Sequence, residues 1–109
     1  MRSDSVRLAV TLGDPRGIGP EIVAAVRADA AVAAVADLVV VGPEGTVAEV
    51  HEPIGVWQPL GGDADRAAVA GRLAGRAIER AVELVQSGTV DGIVTAPIDK
   101  AALLAGGYD

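Results

Sequence analysis

From Val10 to Ile22 the chain reads Val-Thr-Leu-Gly-Asp-Pro-Arg-Gly-Ile-Gly-Pro-Glu-Ile. Few folds accommodate such a run. An apolar strand, Val6 to Leu12, ends in a turn, Gly13 to Gly19, that holds three glycines in seven residues. A helix then begins at Pro20, because proline suits the first helical position, where its missing N–H is not needed. Glu21 falls in the first helical turn, where a negative charge complements the helix dipole. A turn this rich in glycine adopts backbone conformations closed to other residues. It is either a tight strand-to-helix connection or a loop whose amides cradle an anion. It is not a Walker loop, since no Gly-Lys-Ser/Thr follows. It is not a dinucleotide fingerprint either, because Ile22 occupies the third glycine position after Gly17 and Gly19.

The helix from Pro20 to about Arg27 carries Ile22, Val23 and Val26 on its apolar side, and Ala30 to Ala36 either extends it or forms a second short helix. Asp37 punctuates, and Leu38–Val41 is a second strand of β-branched character, ended by Gly42-Pro43. A short helix is expected around Glu44 to Val50. His51 to Gly55 reads as loop. His51 is the only histidine, and one histidine with no second ligand nearby reads as solvated rather than metal-binding. Val56 to Leu60 is a short edge strand by its prolines, with Trp57 as packing. Asp65 to Gln86 is the clearest helix. Val69, Leu73, Ala77, Ile78, Ala81, Leu84 and Val85 cover one broad side, and Arg72, Arg76, Glu79, Arg80 and Glu83 gather on the other. Gly71 and Gly75 cost that helix about 1 kcal/mol each relative to alanine, which close approach of a neighbouring element explains. Ser87-Gly88 stops it. Val90 to Thr95 is a third buried-type strand, followed by Ala96-Pro-Ile-Asp-Lys100, a short helix to about Leu104 and a stop at Gly106-Gly107.

Strands alternate with helices and no internal domain boundary intervenes, so the expected class is α/β with a mainly parallel sheet and flanking helices. In such sheets the loops that follow strands gather at the carboxyl edge, where ligands bind. Gly13–Gly19 and Thr95–Lys100 therefore belong on one rim.

Composition narrows the function. With one Trp, one Tyr and no Phe among 109 residues, the core is built from Ala, Val, Leu and Ile and buries little area per residue. Stability then depends on a partner surface or on further sequence. A net charge of −6 disfavours nucleic acid or an anionic membrane as partner. No cysteine is present, so thiolate metal sites and disulfides are excluded. The Met-Arg-Ser-Asp-Ser start lacks an apolar signal core, and no apolar run reaches membrane-spanning length; the default location is the cytoplasm. Of nine basic residues only Lys100 is lysine, a compact charge unlike the planar guanidinium.

Gly-Asp-Pro-Arg-Gly-Ile-Gly-Pro-Glu at 13–21 and Val-Thr-Ala-Pro-Ile-Asp-Lys at 94–100, in this order and separation, resemble the 4-hydroxythreonine-4-phosphate dehydrogenase family of pyridoxal phosphate biosynthesis. Arg16 stands where the family usually has Ala, and Asp99 where it usually has Asn. The resemblance implies an isocitrate/isopropylmalate dehydrogenase-like fold. Residues 1–109 would be the N-terminal portion of a two-part α/β dehydrogenase, with the metal- and nucleotide-binding regions outside them. It implies oxidation of a phosphorylated hydroxy acid by NAD or NADP, with decarboxylation. A divalent metal (Zn, Mg or Co) would be held by histidines that this chain lacks, since His51 matches none of them. A homodimer is implied for the complete protein, and no dehydrogenase activity for these 109 residues alone. A related branch acts on threonate or erythronate phosphates, and a truncated non-catalytic anion-binding module is the reading from another class.

The candidate cleft residues are Gly13, Asp14, Gly17, Gly19 and Thr95, with Lys100 as the candidate catalytic group. For each, a structural role stands beside the functional one. The glycines serve the turn, and Asp14 orients a ligand or only makes an Asp-Pro turn. Thr95 faces the cleft or caps the next helix. Lys100 enters the cleft or pairs with Asp99 or Asp14. Arg16 lies near a phosphate or, as its departure from the family favours, is simply solvated.

Overall fold

A computed structural model of the chain describes residues 5–108; the start read as lacking a signal core lies largely outside them, as does Asp109. Four strands form one sheet, β1 (Val6–Thr11), β2 (Ala36–Glu44), β3 (Glu52–Val56) and β4 (Gly92–Thr95). Their order is β3-β2-β1-β4. All three pairings are parallel. The helices are α1 (Gly19–Arg27), α2 (Ala30–Ala33), α3 (Asp63–Gln86) and α4 (Lys100–Ala105). No helix among the described residues is long and apolar enough to cross a membrane.

Strand alternation splits the core into two layers. Ala9 and Val41 point toward α3, where they meet Ala77, Ala81, Leu84 and Val90. Val10, Leu12 and Val40 point the other way and pack with Val23 of α1, Ala48 and Ala96. Helix α3 touches all four strands, and α4 lies along it. The two helical glycines permit that second contact. A Cβ on Gly71 would clash with the backbone oxygen of Ala102, and one on Gly75 with the ring of Tyr108. The Tyr108 hydroxyl then donates to Glu79 Oε1 at 2.6 Å, which raises its pKa.

Capping sets the helix boundaries. Asp29 accepts from Ala31 N at 2.8 Å and starts α2 as a separate helix. Asp99 accepts from Ala102 N at 3.1 Å and starts α4. Thr95 therefore does not cap α4. Ser87 closes α3, and Gly88 follows with φ +79°.

Four expectations are corrected. First, β2 runs through Asp37 at one end and through Gly42-Pro43 at the other. Gly42 fits because Leu12 packs on it, with its Cδ1 2.7 Å from where a Cβ would lie. Pro43 falls where the β2–β3 register shifts, so its missing N–H breaks no regular ladder. Second, no helix forms over 44–50. Gly45, at φ +100°, lies against the Trp57 carbonyl, and Thr46 Oγ1 accepts from Ala48 N at 3.2 Å. The edge strand accordingly starts earlier, at Glu52, and ends at Val56. Third, β4 is not buried. It terminates the sheet, and Val94 is 46% exposed. Helix α1 leaves β4 uncovered on its own face, so of the apolar side Ile22, Val23 and Val26 only Val23 is buried, and the other two stay exposed.

The fourth correction concerns His51. Its ring is not merely solvated. Val40 N donates to His51 Nδ1 at 2.9 Å, while His51 N donates to Val40 O at 2.9 Å. The imidazole thus supplies the acceptor that a neighbouring strand would otherwise offer, one residue before β3 begins. Val40 is fully buried, so removing that acceptor orphans its N–H at a cost of about 1–3 kcal/mol. His51→Ala is expected to lower the unfolding free energy by that amount, read from the shift in the urea midpoint at unchanged slope. His51→Asn, whose Oδ1 has the same reach, is expected to recover most of it.

Candidate functional site

β1 and β4 are adjacent and parallel, so the segments leaving them emerge side by side. Ala96 N donates to Thr11 O at 3.1 Å and continues the ladder past β4. Asp14 N then donates to Pro97 O at 3.2 Å, joining the glycine-rich turn to the second loop. The two loops lie on one rim, as the topology requires.

The three glycines of the turn have three different reasons to be glycine. Gly13 has φ +72°, and a Cβ there would also collide with Pro97 O. Gly19 has an ordinary φ, but its Cβ would meet Leu12 O. Gly17 has neither constraint; its Cβ would sit 3.5 Å from Asp14 O, an ordinary contact.

Asp14 is only 5% exposed, and Arg16 is its partner. Asp14 Oδ1 accepts from Arg16 N at 2.8 Å and from Arg16 Nε at 3.0 Å. Asp14 Oδ2 accepts from Arg16 Nη2 at 2.6 Å. Burial pushes the carboxyl up, but the side-chain and backbone hydrogen bonds from Arg16 and its charge outweigh burial, and the pKa ends below its ordinary value. The pair therefore adds stability above the ordinary carboxylate range and loses it as pH falls through the depressed value. Arg16 is raised in turn, chiefly by its hydrogen bond to Asp14. Arg16 Nη2 also reaches Asp99 Oδ2 at 3.2 Å. One guanidinium thus bridges both loops; Arg16 is exposed, as expected, but it is ion-paired to two carboxylates rather than free in solvent. Positions 16 and 99, the two singled out in the sequence as departures from the motifs it resembles, are joined by this bond.

Around this bridge is a cleft of about 460 Å³, lined by Asp14, Arg16, Gly17, Ile18, Pro97, Ile98 and Asp99. Of the residues singled out in the sequence, Asp14 and Gly17 line it, while Gly13 and Gly19 lie buried beneath it. Thr95 instead lines a neighbouring apolar groove of about 290 Å³ between α1 and the sheet, with Val10, Ile22, Val26 and Val94. Lys100 opens α4, exposed, directly after the lining residue Asp99. It pairs with neither Asp14 nor Asp99, both of which are taken by Arg16. Sequence reasoning missed Arg16 as the organiser. The local part of the signal, an Asp-x-Arg turn, was present, but its second partner lies 83 residues away.

The family described as pyridoxal phosphate biosynthetic protein PdxA matches residues 21–109. A 4-hydroxythreonine-4-phosphate dehydrogenase of Beijerinckia indica is 38% identical over 92% of this chain and 37% of its own length. The D-threonate 4-phosphate dehydrogenase of Salmonella typhimurium is 32% identical over 94% of this chain and 40% of its own length. The crystal structure of a 4-hydroxythreonine-4-phosphate dehydrogenase from Klebsiella pneumoniae superposes with a TM-score of 0.76 at 30% identity, covering 99% of this chain and 41% of that one. The chain thus spans about two-fifths of the length of the relatives it matches.

Proposed function

Because this chain belongs to the PdxA family of pyridoxal phosphate biosynthetic proteins, we propose that it supplies one wall of the substrate cleft in a dehydrogenase acting on a phosphorylated hydroxy acid. The observation that carries this reading is the joining of two strand-end loops around one cleft, through Asp14 N and Pro97 O at 3.2 Å. In parallel α/β sheets that edge is where ligands are held.

The substrate proposed is 4-phosphohydroxy-L-threonine, oxidised with NAD or NADP and then decarboxylated. The similarity to a D-threonate 4-phosphate dehydrogenase, at 32% identity, supports that compound as the second reading. Both are four-carbon hydroxy acids bearing a phosphate, so the shared demand on the rim is to receive an anion. The complete enzyme is proposed to be a cytoplasmic homodimer, with residues 1–109 as its N-terminal portion.

The residues present do not fit the metal or the nicotinamide. Among the described residues, no group of three His, Cys, Asp or Glu side chains is arranged to hold a metal ion. Ile22 stands where a dinucleotide fingerprint needs its third glycine. The part assigned to this chain is therefore binding and orientation. Gly17 lets the turn approach the ligand, Asp14 fixes Arg16, and Lys100 offers an ammonium to the phosphate or carboxylate.

Titration of the 109-residue chain with 4-phosphohydroxy-L-threonine and with D-threonate 4-phosphate, followed by amide NMR shifts, tests the reading. Perturbation is expected at Gly17, Ile18 and Lys100. Lys100→Met is expected to weaken binding about tenfold or more, the loss of one charge-assisted hydrogen bond. Unchanged affinity removes Lys100 from the site, and the absence of shifts in both loops removes the cleft.

A further inference from the structure

We propose that Arg16 is a positioning residue, tying the glycine-rich turn to the first turn of α4 and so fixing where Lys100 sits on the rim. Its relevance to ligand binding rests on the proposed function, but the tie itself does not.

The connection can be followed atom by atom. Arg16 Nε and Nη2 hold both oxygens of Asp14, at 3.0 and 2.6 Å. Nη2 is shared with Asp99 Oδ2 at 3.2 Å. The other oxygen of Asp99 caps Ala102 N at 3.1 Å. Asp99 thus carries two bonds at once, one to the turn and one to the helix that Lys100 begins. Only a planar, forked donor meets this geometry. Nε and Nη2 lie side by side, matched to a carboxylate, and a lysine ammonium offers no such fork.

Charge separates the roles of the two cations. Arg16 lies between two carboxylates, so the cluster carries a net negative charge and does not by itself attract an anion. Lys100 makes no ion pair among the described residues. The rim therefore uses its arginine internally and presents its lysine outward. The turn and α4 move together as long as the fork is intact.

NMR on the 109-residue chain tests this without ligand. Arg16→Met is expected to speed amide exchange at Asp14 and Ala102 about tenfold, while the β1–β2 ladder amides stay as in the parent. It is also expected to shift the Lys100 amide signal. Arg16→Lys is expected to behave like Arg16→Met, because charge without the fork does not bridge the loops. Asp99→Asn keeps the cap on Ala102 and weakens only the link to Arg16. It is expected to raise exchange at Asp14 several-fold with the unfolding midpoint close to the parent, and this holds the test should the Arg16 variants fold poorly. Unchanged exchange at Ala102 in Arg16→Met, full rescue by lysine, or an Asp14 amide indifferent to Asp99→Asn would each overturn the proposal. Inorganic phosphate added to the parent separates the two readings. Shifts at Lys100 with the Arg16 Nε–H signal unmoved are expected. A shift largest at Arg16 Nε–H overturns the positioning role. Silence at both loops counts against the cleft while leaving the exchange results to decide the tie.

Discussion

Gly71→Ala is expected to destabilise the chain by about 3 kcal/mol, the upper end of what overpacking costs, and to release α4 from α3. Helix propensity argues for the opposite sign, since alanine in a helix interior is worth about 1 kcal/mol over glycine. The local environment reverses it. A Cβ at Gly71 would overlap Ala102 O and Ala102 C, and would come within 2.8 Å of Leu103 N. All three are backbone atoms, so no side-chain rotation relieves the contact. Gly106, the C-cap of α4, faces Gly71 and Arg72 at similarly short range, which leaves little room for α4 to slide. The helix must lift away, and Tyr108 with its bond to Glu79 goes with it. Urea unfolding gives the free-energy loss, and the Tyr108 ring signals report the undocking. A variant as stable as the parent would mean that α4 does not rest on α3 at this glycine.

Gly71 also shows what a sequence discloses. Two glycines four residues apart inside a strong helix are costly, and close approach of another element is the simplest compensation. The parallel α/β class and the shared rim were likewise legible, because strand-helix alternation leaves few topologies and each places strand-end loops together. What escaped depends on contacts distant in sequence. β2 continues through Gly42-Pro43, where Leu12, just past the end of β1, packs on Gly42. His51 imitates a backbone acceptor for Val40, which no periodicity reveals. The β-branched residues of 90–95 suggest a buried strand, yet β4 lies at the sheet's end among the described residues, and exposure is a property of the assembled sheet rather than of its residues. The second partner of Arg16 escapes for the same reason. Beside Asp14 alone Arg16 makes an ordinary turn pair, and only the fold brings Asp99 to its other side.

The turn itself offers the sharpest test of whether the two loops work as one unit. Gly13→Ala is expected to cost about 3 kcal/mol, from two sources. Alanine at φ +72° gives up roughly 1–2 kcal/mol to the left-handed conformation. Its methyl would also press on Pro97 O and lie 3.0 Å from Ala96 O, a backbone collision of the overpacking kind, about 1–3 kcal/mol. Pro97 O is also the acceptor for Asp14 N, so relief comes by opening that bond and parting the loops. Gly17→Ala is the matched comparison, in the same turn but at the cleft surface rather than beneath it. Its φ is ordinary and its Cβ would meet only Asp14 O at 3.5 Å, so a change within about 0.5 kcal/mol is expected. Urea midpoints give both energies. Amide exchange at Asp14 tells whether the Gly13 variant fails at the loop junction or globally. Equal losses for the two variants would show that the turn needs glycine for general flexibility. A large loss confined to Gly13, with Asp14 deprotected and the ladder intact, ties the cost to the one carbonyl on which the second loop is hung. In that case the shape of the cleft is set by Pro97 as much as by any charged residue that lines it.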